Sequence, residues 1–199
     1  MIVPPEEIEV LAPPSTDEAD FAGLTTWPAI RKRLVEIAHH KVAQVAGLID
    51  DRNVPVTIIA ADTTIVVQLD QVTTQRDYSY PRLQSLGQPP DDESWREVVK
   101  HWFLDYYAGR THFVATAVVV KSSDGRLRSD VVITNVTFQE DVAPWLDWYL
   151  STGEPRGKAG GYAIQGAGSI FVRRVFGSLS NVIGLPLERL FEMLSDTHT

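Results

Sequence analysis

The chain has 199 residues, 44% of them hydrophobic, a length that fits one soluble domain with a core of its own. Its formal net charge of -8 sets the general field against a polyanion, so duplex nucleic acid held by counterion release is excluded, whereas a small anion in a locally basic or metal-bearing cleft is not. Cysteine is absent, which removes disulfides, thiolate metal sites and a cysteine nucleophile and leaves oxygen and imidazole as metal donors.

The opening residues, MIVPPEEIEV, have no basic segment followed by an apolar run, and no stretch reaches the length of a membrane span. A cytoplasmic protein without a membrane partner is the expectation. Ile8–Leu11 is a short strand candidate, followed by a loop rich in proline and acid. From Trp27 the sequence predicts a helix: Thr26 or Trp27 caps it, Pro28 sits in the first turn, and Ile30, Leu34, Ile37, Val42 and Val45 recur at helical spacing up to Gly47. Lys41 falls seven residues after Leu34, at the margin of that stripe. VPVTIIAADTTIVVQL, residues 54–69, is a β-branched run interrupted by Asp62, which predicts two buried strand pieces with an acid at their junction.

Residues 70–93 carry little apolar periodicity and several prolines, so a long surface loop with a short hairpin is expected. A helix follows from Ser94 and stops at Gly109. THFVATAVVVK and LRSDVVITNVTF flank an Asp-Gly turn, a hairpin signal. DVAPWLDWYLSTG reads as a helix with a glycine stop, SIFVRRVF as a strand and LPLERLFEML as a final helix. Mixed helices and strands place the chain in the α/β (α+β) class with a mixed sheet, as a single domain over residues 1–199.

Several residues have the means to do chemistry. Asp62 drops a carboxylate into an apolar strand, where it must be compensated by a metal, a cation or backbone amides. Glu18, in the acidic run TDEAD, offers oxygen to a hard cation, and Lys41 can extend its head to a phosphate while its stem covers apolar surface. His39 and His40 are adjacent and point to different sides of a helix, so they cannot ligate one metal together. GKAGGYAIQGAGSIFV, residues 157–172, holds five glycines with Lys158 and Gln165. Glycines at positions such as Gly160 and Gly166 let backbone N–H groups converge on an anion, the lysine adds a charge, and the glutamine amide has both a donor and an acceptor to read a base edge. A plain turn fits that composition as well. No GxSxG, GxxxxGK[ST] or GxGxxG occurs, so the usual hydrolase elbow and phosphate loops are ruled out.

Taken in order, AADT after an apolar strand, AGRTHFVATAV, GEPRGKAGGYAIQGAGSIFV and SNVIGLPL resemble the Maf family of nucleoside triphosphate pyrophosphatases, also called Maf-like or septum formation inhibitor proteins. The resemblance implies a two-lobed fold related to the inosine triphosphate pyrophosphatases, around a central nucleotide cleft. It implies hydrolysis of a nucleoside triphosphate to monophosphate and pyrophosphate with a divalent cation, Mg²⁺, Mn²⁺ or Co²⁺. It matches Asp62 to the catalytic acid that accepts the proton of the attacking water, Glu18 and Asp62 to the metal environment, Lys41 and Lys158 to the family's lysines, and Thr63 and Gln165 to the positions linked with choice of base. The run AIQG resembles the branch acting on dTTP and UTP. A nucleoside triphosphate is then the partner, no nucleic acid polymer is, and a homodimer is the assembly the resemblance allows.

Two departures accompany the match. The family's Ser-Pro-Arg-Arg segment has no counterpart before Ile8, so it is expected upstream of Met1. Gln88 stands in LGQPPDDE where the family has a lysine, and Gly157 replaces a common acidic residue. Two readings follow: a dTTP/UTP pyrophosphatase, or a catalytically weak or inactive nucleotide-binding relative with a regulatory, septum-related role.

Overall fold

The computed structural model describes residues 4–15, 19–49, 54–69 and 82–195. Its first long helix, α1 (Trp27–Ile49), buries Ile30, Leu34, Ile37, Ala38, Val42 and Ala46 along one stripe, as the periodicity predicts. It continues through Gly47 to at least Ile49, so the expected stop at Gly47 is not made. Ile8–Leu11 form no strand: Ile8 and Val10 face solvent, and alternation without a core to bury it does not hold a strand.

Five strands make one sheet in the order β2-β1-β3-β4-β5, comprising β1 (Ile58–Leu69), β2 (Arg82–Leu86), β3 (Thr111–Lys121), β4 (Leu127–Phe138) and β5 (Val172–Phe176). The α/β architecture agrees with expectation, but every described pairing is antiparallel where a mixed sheet is predicted, because short connections such as the Asp124-Gly125 turn join neighbours directly. β1 is one unbroken strand of twelve residues rather than two pieces. Asp62 does not interrupt it, since its side chain leaves the sheet face and is met by a cation from α1. Ser169–Phe171, expected in a strand, belong instead to a 3-10 turn over Ala167–Phe171.

Both faces of the sheet are covered, which explains why β3 reads as an almost continuous apolar run. On one face α1 meets Ile58, Val66, Ala115, Ala117 and Val119. On the other lie α2 (Trp95–His101), a π-helical turn (Trp102–Tyr107) and α3 (Ala143–Ser151), packed on Ile65, Val67, Val114 and Val136. Farther along that second face α5 (Leu187–Ser195) covers Val118 and Val120. Between these two clusters sits the short α4 (Leu179–Ile183), which the sequence reading does not anticipate. No helix among the described residues is long and apolar enough to cross a membrane.

A buried histidine adds a pH dependence. His112 on β3 is fully enclosed, its Nε2 2.7 Å from the Tyr162 hydroxyl, and burial lowers its pKa to about 3. The unfolded chain, with an ordinary value of about 6.5, therefore takes the proton first as pH falls. The imidazole's contribution to stability is intact above about pH 6.5 and declines by about 1.4 kcal/mol per unit between there and about pH 3. Urea unfolding at pH 7, 6 and 5 is expected to show this decline, with a shallower slope in His112→Gln; equal slopes would rule the histidine out as its source.

Candidate active site

The site begins with an asymmetry in the sheet. β3 pairs with β1 along Ile58–Val66, whereas β2 pairs only with Ile65–Leu69. Among the described residues no strand covers the outer side of Ile58–Thr64, so this half of β1 is a sheet edge, with backbone groups turned outward. Asp62 and Thr63 lie in that open half. Being consecutive in a strand, they project to opposite faces, so a ligand lying along the edge can meet both.

Asp62 stands opposite Ala117 and faces α1. There Lys41 reaches it, with Nζ 2.7 Å from Oδ1 and side chains 20% and 11% exposed respectively. The helix explains the meeting: Leu34, Ala38 and Val42 anchor the stripe, and Lys41 beside Val42 lays its stem along the margin of that core. The couple is largely enclosed, yet open enough for a ligand to approach.

Thr63 stands opposite Thr116 on the second face, and their Oγ1 atoms are 2.9 Å apart. Thr116 donates in turn to the Asn181 carbonyl at 3.2 Å. Asn181, fully buried on α4, donates through Nδ2 to Val114 O and Thr134 Oγ1, each at 3.0 Å, and so fixes α4 across β3 and β4. Gly184 ends α4 with φ 120°, close beside the Thr63 hydroxyl.

Where β2 leaves the sheet, the glycine-rich loop arrives. Gly160 N–H donates to Gly87 O at 2.8 Å, immediately after β2. The Tyr107 hydroxyl donates to Gly160 O at 2.9 Å, and Tyr149 shares its proton between Gly161 O at 3.1 Å and Glu154 at 3.2 Å. Burial pushes both phenols far above their ordinary range, so they remain donors. Gly160 takes φ 68° and lies against Ile65 and Tyr107, where a Cβ would overlap both. Lys158 and Gln88 are exposed on the solvent side of this junction.

Farther along, the Glu154 carboxylate accepts from Ala167 N–H at 2.6 Å and Gly168 N–H at 2.9 Å. A Cβ on Gly166 would strike that carboxylate, which gives the glycine a steric reason. Gln165, exposed, is carried on the turn so held. Glu154 is absent from the sequence-based site; the only signal for it is an acid placed just after the Gly153 helix stop and ahead of the glycine run.

The structure thus joins Lys41 to Asp62 directly, and it carries Lys158, Gly160, Gln165 and Gly166 on one pinned loop beside β1. Lys158 and Gln165 form the rim of that loop and are not part of the ion pair. Glu18 lies outside the described residues. A separate cavity of about 510 Å³, lined by Gln139, Glu140, Asp141, Trp145, Ile170, Phe171 and Arg173, lies toward the β5 edge and contains none of these groups.

The donors suit a hard cation, for which one or two carboxylates and ligand phosphate oxygens suffice. Among the described residues no group of three or more His, Asp or Glu is gathered to hold a metal alone. An ion that shares its coordination with a phosphate therefore fits Asp62.

Comparison with known proteins places the sequence among a set of relatives. The profile of the family described as Maf-like protein matches residues 6–197. A dTTP/UTP pyrophosphatase of Anaeromyxobacter sp. (strain Fw109-5) is 35% identical over 186 residues, covering 92% of this chain and 76% of the relative. One from Sphingopyxis alaskensis is 35% identical over 185 residues, covering 93% and 83%. A third, from Syntrophus aciditrophicus, is 33% identical over 161 residues, covering 80% and 67%.

Proposed function

The chain belongs to the Maf-like protein family, and from that premise we propose that it hydrolyses dTTP and UTP to the monophosphate and pyrophosphate at the open edge of β1. The observation that carries the reading is the Lys41–Asp62 couple, on a half of β1 whose outer side no strand among the described residues covers, beside the pinned glycine loop.

Phosphoryl transfer asks for alignment and charge compensation more than for covalent help. Asp62 accepts the proton of a water whose oxygen attacks the α-phosphorus; the bond from that phosphorus to the bridging oxygen breaks, and pyrophosphate leaves with the electron pair. Lys41 holds the Asp62 carboxylate in place through its 2.7 Å bond and matches its charge. Lys158, at the loop rim, binds phosphate as a point charge. Thr63 and Gln165 face the base. Asp62, together with Glu18, would hold a divalent cation, whose chemistry is to neutralise phosphate charge. Gly160 and Gly166 allow the loop backbone to lie close to the strand and to Glu154.

The test is product analysis over a panel of nucleoside triphosphates with Mg²⁺, Mn²⁺ or Co²⁺. UTP and dTTP are expected to yield pyrophosphate in a 1:1 ratio with the monophosphate, and purine nucleotides to react more slowly. Binding of UTP without turnover under every metal condition would replace the enzyme with a nucleotide-binding protein, and release of orthophosphate alone would overturn the assigned bond.

A further inference from the structure

We propose that Thr116 is a positioning residue that fixes which way the Thr63 hydroxyl points its proton, and thereby makes the site accept uracil and thymine and reject cytosine. The inference rests on the reading above that Thr63 faces the base.

A threonine hydroxyl has one proton and two lone pairs. Thr116 Oγ1 lies 3.2 Å from the Asn181 carbonyl oxygen, which can only accept, so the Thr116 proton belongs in that bond. The same Thr116 Oγ1 lies 2.9 Å from Thr63 Oγ1. With its proton already committed, Thr116 can only accept there, and Thr63 must donate. Reversing the order would place two oxygens without a proton between them at 3.2 Å inside a fully buried site. The chain of protons therefore runs from Thr63 to Thr116 to Asn181 O.

Thr63 Oγ1, part-buried beside Gly184, is left with lone pairs alone for a ligand. Uracil and thymine present an N3–H donor, which matches. Cytosine presents an unprotonated N3, an acceptor, and the two sets of lone pairs repel. Sites that commit a buried polar group in this manner discriminate far more strongly than apolar pockets do. The anchor is rigid: Asn181 is fully buried, its side chain is bonded to β3 and β4, and its carbonyl also accepts from Gly184 N–H at 3.0 Å.

That second donor makes the test clean, because Thr116→Val keeps the side-chain shape without leaving the Asn181 carbonyl unpaired. In the full chain, kcat/KM for UTP and CTP is measured for the wild type, Thr116→Val, Thr116→Ser and Thr63→Val, with thermal unfolding to verify folding. The UTP to CTP ratio is expected to fall about tenfold or more in Thr116→Val, because the freed Thr63 proton can then turn outward to cytosine, and to be retained in Thr116→Ser. A ratio unchanged in Thr116→Val but lowered in Thr63→Val overturns the relay alone. If neither variant changes it, the base does not meet Thr63, and the relay and that part of the functional reading fall together. An equal fall in the Val and Ser variants also overturns the relay, since the hydroxyl is then not the cause.

Discussion

Asp62→Asn is expected to lower kcat for UTP hydrolysis by about 10²–10⁴-fold, with a much smaller change in KM. The carboxamide keeps the shape of the carboxylate and can still lie beside Lys41, but it cannot take up the proton that the attacking water must lose. Because the carboxylate is 11% exposed and lies 2.7 Å from the Lys41 ammonium, the substitution also replaces an enclosed ion pair with a weaker neutral contact. A modest drop in thermal midpoint accompanies the loss of rate. Stopped-flow or coupled pyrophosphate assays at saturating UTP separate the two effects. A variant that keeps the wild-type kcat would remove Asp62 from the proton transfer.

The second large effect is on stability. Gly160→Ala combines a backbone at φ 68° with a methyl group driven into Ile65 and the Tyr107 hydroxyl. The left-handed conformation costs about 1–2 kcal/mol for a residue with a Cβ, and the overlap adds about 1–3 kcal/mol of overpacking. A total of about 2–5 kcal/mol in urea unfolding is expected. Gly157→Ala is the control: it has φ 70° but nothing within 4 Å of its Cβ, so it should show the conformational cost only. Equal losses in both variants would mean that the loop is not held against Ile65.

Much of this site is legible in the sequence, and the parts that are not share a physical cause. Asp62 stands out because a carboxylate in a β-branched run demands compensation, and Lys41 because helical spacing places it beside the buried stripe. The long helix, the Asp-Gly hairpin and the glycine stops at Gly109 and Gly153 are local signals, and the structure contains each of them. What the sequence hides depends on contacts between segments far apart in the chain. Of the loop with a short hairpin expected over residues 70–93, residues 70–81 lie outside the described residues, and β2 is a strand because Gln84 and its neighbours find β1. Ser169–Phe171 look like a strand by composition, yet the Glu154 carboxylate draws the preceding amides into a turn. Thr116 is one polar residue in an apolar strand, and only the register that sets it opposite Thr63, with α4 above, gives it meaning.

Among the described residues, the half of β1 without β2 is the half that carries Asp62 and Thr63.

The central claim is that this edge directs water to the α-phosphorus of a pyrimidine nucleoside triphosphate. Mass spectrometry of the products after UTP hydrolysis in ¹⁸O-labelled water tests it most directly. One labelled oxygen is expected in UMP and none in pyrophosphate, with formation of both abolished or strongly reduced in Asp62→Asn. Label in pyrophosphate or orthophosphate, or undiminished labelled UMP from Asp62→Asn, would contradict it.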